Sequence, residues 1–116
     1  MNIDIHGRHV DISETLRVHV ERRLRFALGR LSHRIVRVHV WLTDLNGPRG
    51  GIDKRCRIEV VGHKGTVAVE DTDADAYVVI DLAAERIRRM ARRLADRERS
   101  IDRTPAGRDP SWPAAG

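Results

Sequence analysis

The sequence predicts an α+β fold of order β-α-β-β-β-α, in which a four-stranded sheet carries two helices packed on one face. Three observations predict it. Four short segments alternate apolar and polar residues, as half-buried strands do, and two longer ones repeat apolar residues at helical spacing. A length of 116 residues, 41% hydrophobic and 34% charged, suits one globular core. One apolar sheet face needs covering and only two amphipathic helices are available to cover it, so both lie on the same side.

The first strand is "NIDIHGR", where Ile3 and Ile5 alternate with polar neighbours and Gly7 closes the segment. "DISETLRVHVERRLRFALGRL" follows as a helix capped by Asp11 or Ser13, with Leu16, Val20, Leu24, Ala27 and Leu31 down one side and Gly29 at its end. "RIVRVHVWLTDL" alternates, which assigns Val36, Val38, Val40 and Leu42 to the buried face and Arg37, His39 and Trp41 to the other. "NGPRGG" is expected to be a flexible loop. "DKRCRIEVV" turns Cys56, Ile58 and Val60 inward, "GHKG" is a hairpin turn, and "TVAVE" is the fourth strand. Asp75 caps a long second helix. Residues 1–103 are expected to form the domain, and the Pro-, Gly- and Ala-rich segment 104–116 a disordered tail.

The charge is segregated. Formal net charge is +5 with a pI near 10.6, which favours polyanionic partners. "AERIRRMARRLADRERS", residues 84–100, holds seven arginines, whereas "EDTDAD" at 70–75 holds four acids and no base. On a helical wheel Ile80, Ala83, Ala84, Ile87, Ala91 and Leu94 share one arc, with Arg86, Arg88, Arg89, Arg92, Arg93, Arg97 and Arg99 around the rest. Glu85 is placed to pair with Arg89 and Asp96 with Arg92, which leaves most of the positive charge unneutralised. The first helix adds Arg17, Arg22, Arg23 and Arg25, of which Arg23 lies nearest the groove between the helices. Arginine identity alone carries little weight, since twenty of the 22 basic residues are arginine throughout the chain.

Several classes of function find no support. No run of about 18 apolar residues spans a bilayer, and "MNIDIHGRHV" lacks the order of a signal peptide, so a cytoplasmic protein without a membrane partner is expected. Cys56, the single cysteine, sits in an alternating run and is assigned to the core. Asp71, Asp73 and Asp75 resemble the start of a calcium loop, but Ala76 and Leu82 stand where such a loop needs glycine and glutamate. Helix capping and dipole compensation account for these acids instead. The six histidines lack ligand spacing, and no nucleophile motif is present. No enzyme, cofactor or small-molecule substrate is expected.

The N-terminal stretch "IDIHGRHVDISETLRVHVERRL", the three-strand middle and "DADAYVVIDLAAERIRRMARRL" together resemble the ribosome hibernation-promoting factor family, also described as ribosome-associated inhibitors. That resemblance, over about residues 1–100, implies binding to the small ribosomal subunit and its ribosomal RNA near the decoding centre, with silencing of translation in starved or stationary cells. The family's basic positions correspond to Arg86, Arg89 and Arg93 on the last helix and to Arg17 and Arg23 on the first; Arg92 and Arg97 complete the candidate RNA-binding set. The sequence departs from the family pattern at Ala76 and in the glycine-rich loop "TDLNGPRGGIDKR", and it resembles a short form without the second, dimerising domain. A monomer off the ribosome is expected. Two other readings fit the same features. One is a general double-stranded RNA module, and the other is a protein-interaction domain using Arg37, His39, Trp41, Arg55 and Arg57 on the open sheet face.

Overall fold

Alternation and helical spacing set the element order. The structure, a computed structural model, describes residues 1–45 and 53–102, with side chains through Asp96. The elements are β1 (Asn2–Arg8), α1 (Glu14–Leu28), a 3-10 turn (Gly29–Arg34), β2 (Ile35–Asp44), β3 (Lys54–Gly62), β4 (Gly65–Asp73) and α2 (Ala76–Asp102). The sheet runs β1-β2-β3-β4, with β1 parallel to β2 and the other pairs antiparallel. A parallel pair needs a crossover, and α1 supplies it. The expected loop at 46–51 and tail at 104–116 lie outside the described residues.

Both helices pack on one face of the sheet, as the sequence predicts, and α2 lies over β3 and β4 with α1 alongside it. The inner face contributes Val38, Val40, Leu42, Cys56, Ile58, Val60, Val67 and Val69, and the helices contribute Leu16, Val20, Leu24, Leu28, Val79, Ile80, Ile87 and Leu94. Alanines 83, 84 and 91 complete the α2 stripe and leave room for the helix to approach the sheet. Burial pushes the Cys56 thiol up to about 12, so it stays protonated and packs as a small apolar side chain. No helix among the described residues is long and apolar enough to cross a membrane.

Capping fixes the helix starts. Ser13 Oγ accepts from Leu16 N at 3.1 Å, which selects Ser13 over Asp11. Asp75 Oδ1 accepts from Tyr77 N at 2.7 Å and Val78 N at 3.4 Å, and Asp73 Oδ2 accepts from Asp75 N at 2.9 Å. Strand β4 runs on to Asp73, past the predicted end of "TVAVE". Asp71 is therefore a strand residue, not part of a cap. The hairpin "GHKG" forms as predicted, with Gly62 opposite Gly65 and His63–Lys64 at the turn. At the ends of β2 and β3, Lys54 Nζ lies 3.0 Å from the buried Asp53 and 3.4 Å from Asp44. The hydrogen bond to Asp53 raises the pKa of Lys54, with the charges of both acids supporting it.

Two assignments change. Val36 is 45% exposed and Ile35 is buried, because the β2–β3 register shifts between Ile35 and Arg37 and this bulge moves one residue out of alternation. In α1 the four-residue spacing of Leu16, Val20 and Leu24 continues to Leu28, which is fully buried, while Ala27 and Leu31 are only partly covered.

Two glycines have opposite requirements. A Cβ on Gly7 would lie 2.5 Å from the Val10 carbonyl oxygen in the β1–α1 connection, whereas Gly29 has ordinary helical dihedrals (φ −56, ψ −38) and open space around a Cβ. Gly7→Ala is expected to destabilise by roughly 1–3 kcal/mol through backbone displacement. Gly29→Ala is expected to stabilise by about 0.4–1 kcal/mol by restricting the unfolded chain. Denaturant unfolding of the two variants checks the opposite signs.

Candidate nucleic-acid interface

Burial of the α2 apolar arc turns its arginines outward in three rows. Arg88 and Arg92 face the seam with α1, Arg89 and Arg93 form the crest, and Arg86 lies on the flank over β4. Sequence reasoning treats these arginines as one surface, but carboxylates divide them.

On the flank, Arg86 donates from Nε and Nη2 to the two carboxylate oxygens of Asp71, each at 3.0 Å. This fork-to-carboxylate geometry holds the guanidinium to the sheet edge, where Asp71 is 15% exposed. In the seam, Arg88 donates to both oxygens of Glu85, at 3.0 and 2.6 Å, while Arg89 Nε stands 4.0 Å away. The main partner of Glu85 is thus Arg88 and not the expected Arg89. The Arg88 bond holds the Glu85 carboxyl below its ordinary pKa, with the charges of Arg88, Arg89 and Arg23 assisting and desolvation opposing. Arg23 crosses from α1 as expected: its Nε lies 3.1 Å from Asp81 Oδ1, without hydrogen-bond alignment. Asp81 Oδ1 also contacts His19 Nε2 at 2.8 Å, and His19 meets the Tyr77 ring edge-on at 5.1 Å.

Arg92 and Arg93 are exposed and, like Arg17 of α1, form no ion pair with a described residue. Of the predicted set, then, Arg92 and Arg93 project uncommitted charge from α2, and Arg89 beside them is only loosely engaged, 4.0 Å from Glu85. Arg23 and Arg86 are tied to acids, and the side chain of Arg97 lies outside the described residues.

A hollow of ≈ 520 Å³ lies where the 3-10 turn meets the seam, lined by Phe26, Arg30, Leu31, Arg34, Arg88 and Arg92 among others. Phe26 is 77% exposed at its rim. Sequence reasoning missed Arg30 and Arg34. They follow Gly29, where helical periodicity ends, so no wheel connects them to α2. The open sheet face carries Arg37, His39, Trp41, Arg55 and Arg57, as the alternation predicts.

A family model described as sigma 54 modulation protein / S30EA ribosomal protein matches residues 3–99. The chain is 27% identical over 96 residues to the chloroplastic ribosome-binding factor PSRP1 of Spinacia oleracea, covering 80% of this chain and 32% of that protein. It thus spans about a third of that relative's length. Among solved structures, the Thermus thermophilus Protein Y N-terminal domain is 31% identical with a TM-score of 0.68, covering 80% of this chain and 98% of that one. A ribosomal subunit interface protein from Coxiella burnetii, 21% identical, shares the fold with a TM-score of 0.69, covering 83% and 99% of the two chains.

The Glu85–Arg88 pair yields a pH prediction. A carboxyl with a lowered folded pKa contributes stability above its unfolded pKa and loses it as pH falls through the folded value. Glu85→Gln should therefore melt slightly below wild type near neutral pH, with the gap closing as pH falls below about 4. Thermal melts across that range check it, and a gap unchanged in acid would contradict the assignment.

Proposed function

The chain belongs to the sigma 54 modulation protein / S30EA ribosomal protein family, and on that basis we propose that it binds the ribosome through the exposed arginines of the α2 crest and seam and the adjoining face of α1. The observation that carries this reading is the exposed, uncommitted charge of Arg92 and Arg93, beside Arg89, on a helix whose other side is locked into the core. Ribosomal RNA is the polyanion that such a surface meets on a ribosome. A rigid helix fixes the spacing of the guanidiniums, and their planar forks limit the freedom lost for each hydrogen bond formed. The relative named as a ribosome-binding factor supports the same partner.

In its finer form the proposal places the domain, residues 1–103, on the small subunit near the decoding centre, as a monomer that silences translation by occupying RNA surface there. The role is binding and not catalysis. It requires no cofactor, and the protein works in the compartment that holds the ribosomes. Arg17, Arg23 and Arg86 contribute as flanking charges, the last two after exchanging a carboxylate for a phosphate.

Replacing Arg89, Arg92 and Arg93 together with glutamine preserves helix propensity and leaves Ile87, Ala91 and Leu94 untouched, so the fold should survive. At about 1–2 kcal/mol for each lost charge-assisted contact, small-subunit affinity should fall at least about a hundredfold, and translation should no longer be inhibited. The dependence of affinity on salt should also flatten, because fewer counterions are released. Arg86→Gln alone should weaken binding much less, since the wild-type side chain is already held by Asp71. Sedimentation with small subunits at several salt concentrations measures all three effects. Equal affinity for free RNA duplex and for subunits would instead favour the duplex-binding module.

A further inference from the structure

The sheet face opposite the helices is covered by no described element, and strand register arranges its side chains in rows. One row crosses all four strands as His6, Trp41, Arg57 and Glu70. The next is Arg8, Thr43, Arg55 and Thr72, and the row on the other side is Asp4, His39, Glu59 and Ala68. His6, His39 and Trp41 meet at the junction of β1 and β2. Their ring centroids are 5.3, 5.7 and 6.1 Å apart, and their planes lie within 26° of one another. Three centroids at nearly equal separations cannot form a single column of stacked rings. They make a contiguous aromatic patch. Beside it is a depression of ≈ 470 Å³, whose lining includes His6, Trp41, Thr43, Arg8, Arg55 and Arg57.

We propose that this face binds an unpaired base of single-stranded RNA, with the base stacked on the His6–His39–Trp41 patch and the adjoining phosphate on Arg8 and Arg55. Aromatic platforms beside a positive groove are how sheets hold single strands, because every base has a π-face and every linkage a negative charge. The charges complement such a ligand. Arg8 is exposed and Arg55 stands a loose 3.9 Å from Glu70, so two guanidiniums flank the rings on that side, while the carboxylates on the His39 side are engaged, Asp4 at 3.1 Å from Arg37 and Glu59 at 3.8 Å from Arg57. The depression has the volume of a small-ligand site. A protein partner fits less well, since charged residues border the rings on both sides and the face offers little aliphatic surface, Ala68 in these rows and Val61 one row further. The stacking argument does not depend on the proposed function; the choice of RNA as the polymer does.

The test uses the full chain with Trp112→Phe, which leaves Trp41 as its one tryptophan. Short single-stranded oligouridylate and oligoadenylate should quench Trp41 fluorescence, and a blunt RNA duplex should not. His6→Ala, an exposed substitution, should weaken the single-strand affinity about tenfold or more, with Trp41→Leu weakening it similarly in a labelled-oligomer assay. The Arg89/Arg92/Arg93→Gln variant should lose subunit binding yet keep the Trp41 response, so failure of either proposal is distinguishable from failure of the other. Absence of quenching, or single-strand affinity unchanged by His6→Ala, would overturn the assignment. So would a protein captured by this chain and lost on His6→Ala when the oligomers do not bind.

Discussion

Two helices can cover only one face of a four-stranded sheet, and the rest of the molecule follows from that constraint. The buried arc of α2, built on Ala83, Ala84, Ile87, Ala91 and Leu94, must meet the inner face of β3 and β4. Arg86, Arg88, Arg89, Arg92 and Arg93 lie off that arc and are thereby turned away from the core. The uncovered face is equally determined: the alternation that buries Val38, Val40 and Leu42 sends His39 and Trp41 to the opposite side, beside His6 of the neighbouring strand. One packing decision thus makes two surfaces of different chemistry.

Carboxylates then sort the arginines by what they are available to do. Asp71, Glu85 and Asp81 engage Arg86, Arg88 and Arg23 respectively, and each of these pairs is at least partly exposed. Exposed pairs of this kind contribute little to stability. Their effect is positional. They hold long side chains in defined directions and lower self-repulsion along the seam, while leaving the crest of α2 positive. An arginine already paired with a carboxylate would give up one charge-assisted contact to gain another, so in the proposed interface its net contribution to phosphate binding would be smaller than that of Arg92 or Arg93.

What was legible in the sequence was whatever periodicity encodes. The strand alternation around Cys56, Ile58 and Val60, the α2 wheel and the Asp75 cap all depend on spacing alone, and each is present in the structure. The misplacement of Val36 came from a bulge, which adds one residue to a strand without changing composition or pattern in any recognisable way. The sorting of the arginines was also illegible, because it depends on contacts across sequence. Arg86 meets Asp71 on another element, and Arg23 meets Asp81 across the seam. Asp71 looked like part of a capping run only because the end of β4 falls inside a stretch of acids. Trp41 and His39 could be assigned to the open face from β2 alone, but adding His6 to their patch requires the parallel β1–β2 register.

The two proposed surfaces would hold a ligand in different ways, and that difference bears on how the domain could act. Phosphate contacts gain much of their free energy from counterion release, so a guanidinium crest binds tightly at low salt and weakens as salt rises. Stacking on rings depends on contact area, so the sheet face, where only Arg8 and Arg55 would meet phosphate, should weaken less steeply with salt. The surfaces also lie on opposite sides of the domain, separated by the sheet and its helical layer. A single short segment of RNA therefore cannot engage both by lying flat against one face. Occupying both requires two segments, or one that passes around a sheet edge, and the domain between them then acts as a rigid spacer. The rigidity comes from the same core that aims the arginines: Ile58, Val60, Ile80 and Ile87, all essentially inaccessible to solvent, fix the helical layer to the sheet and the two surfaces to each other.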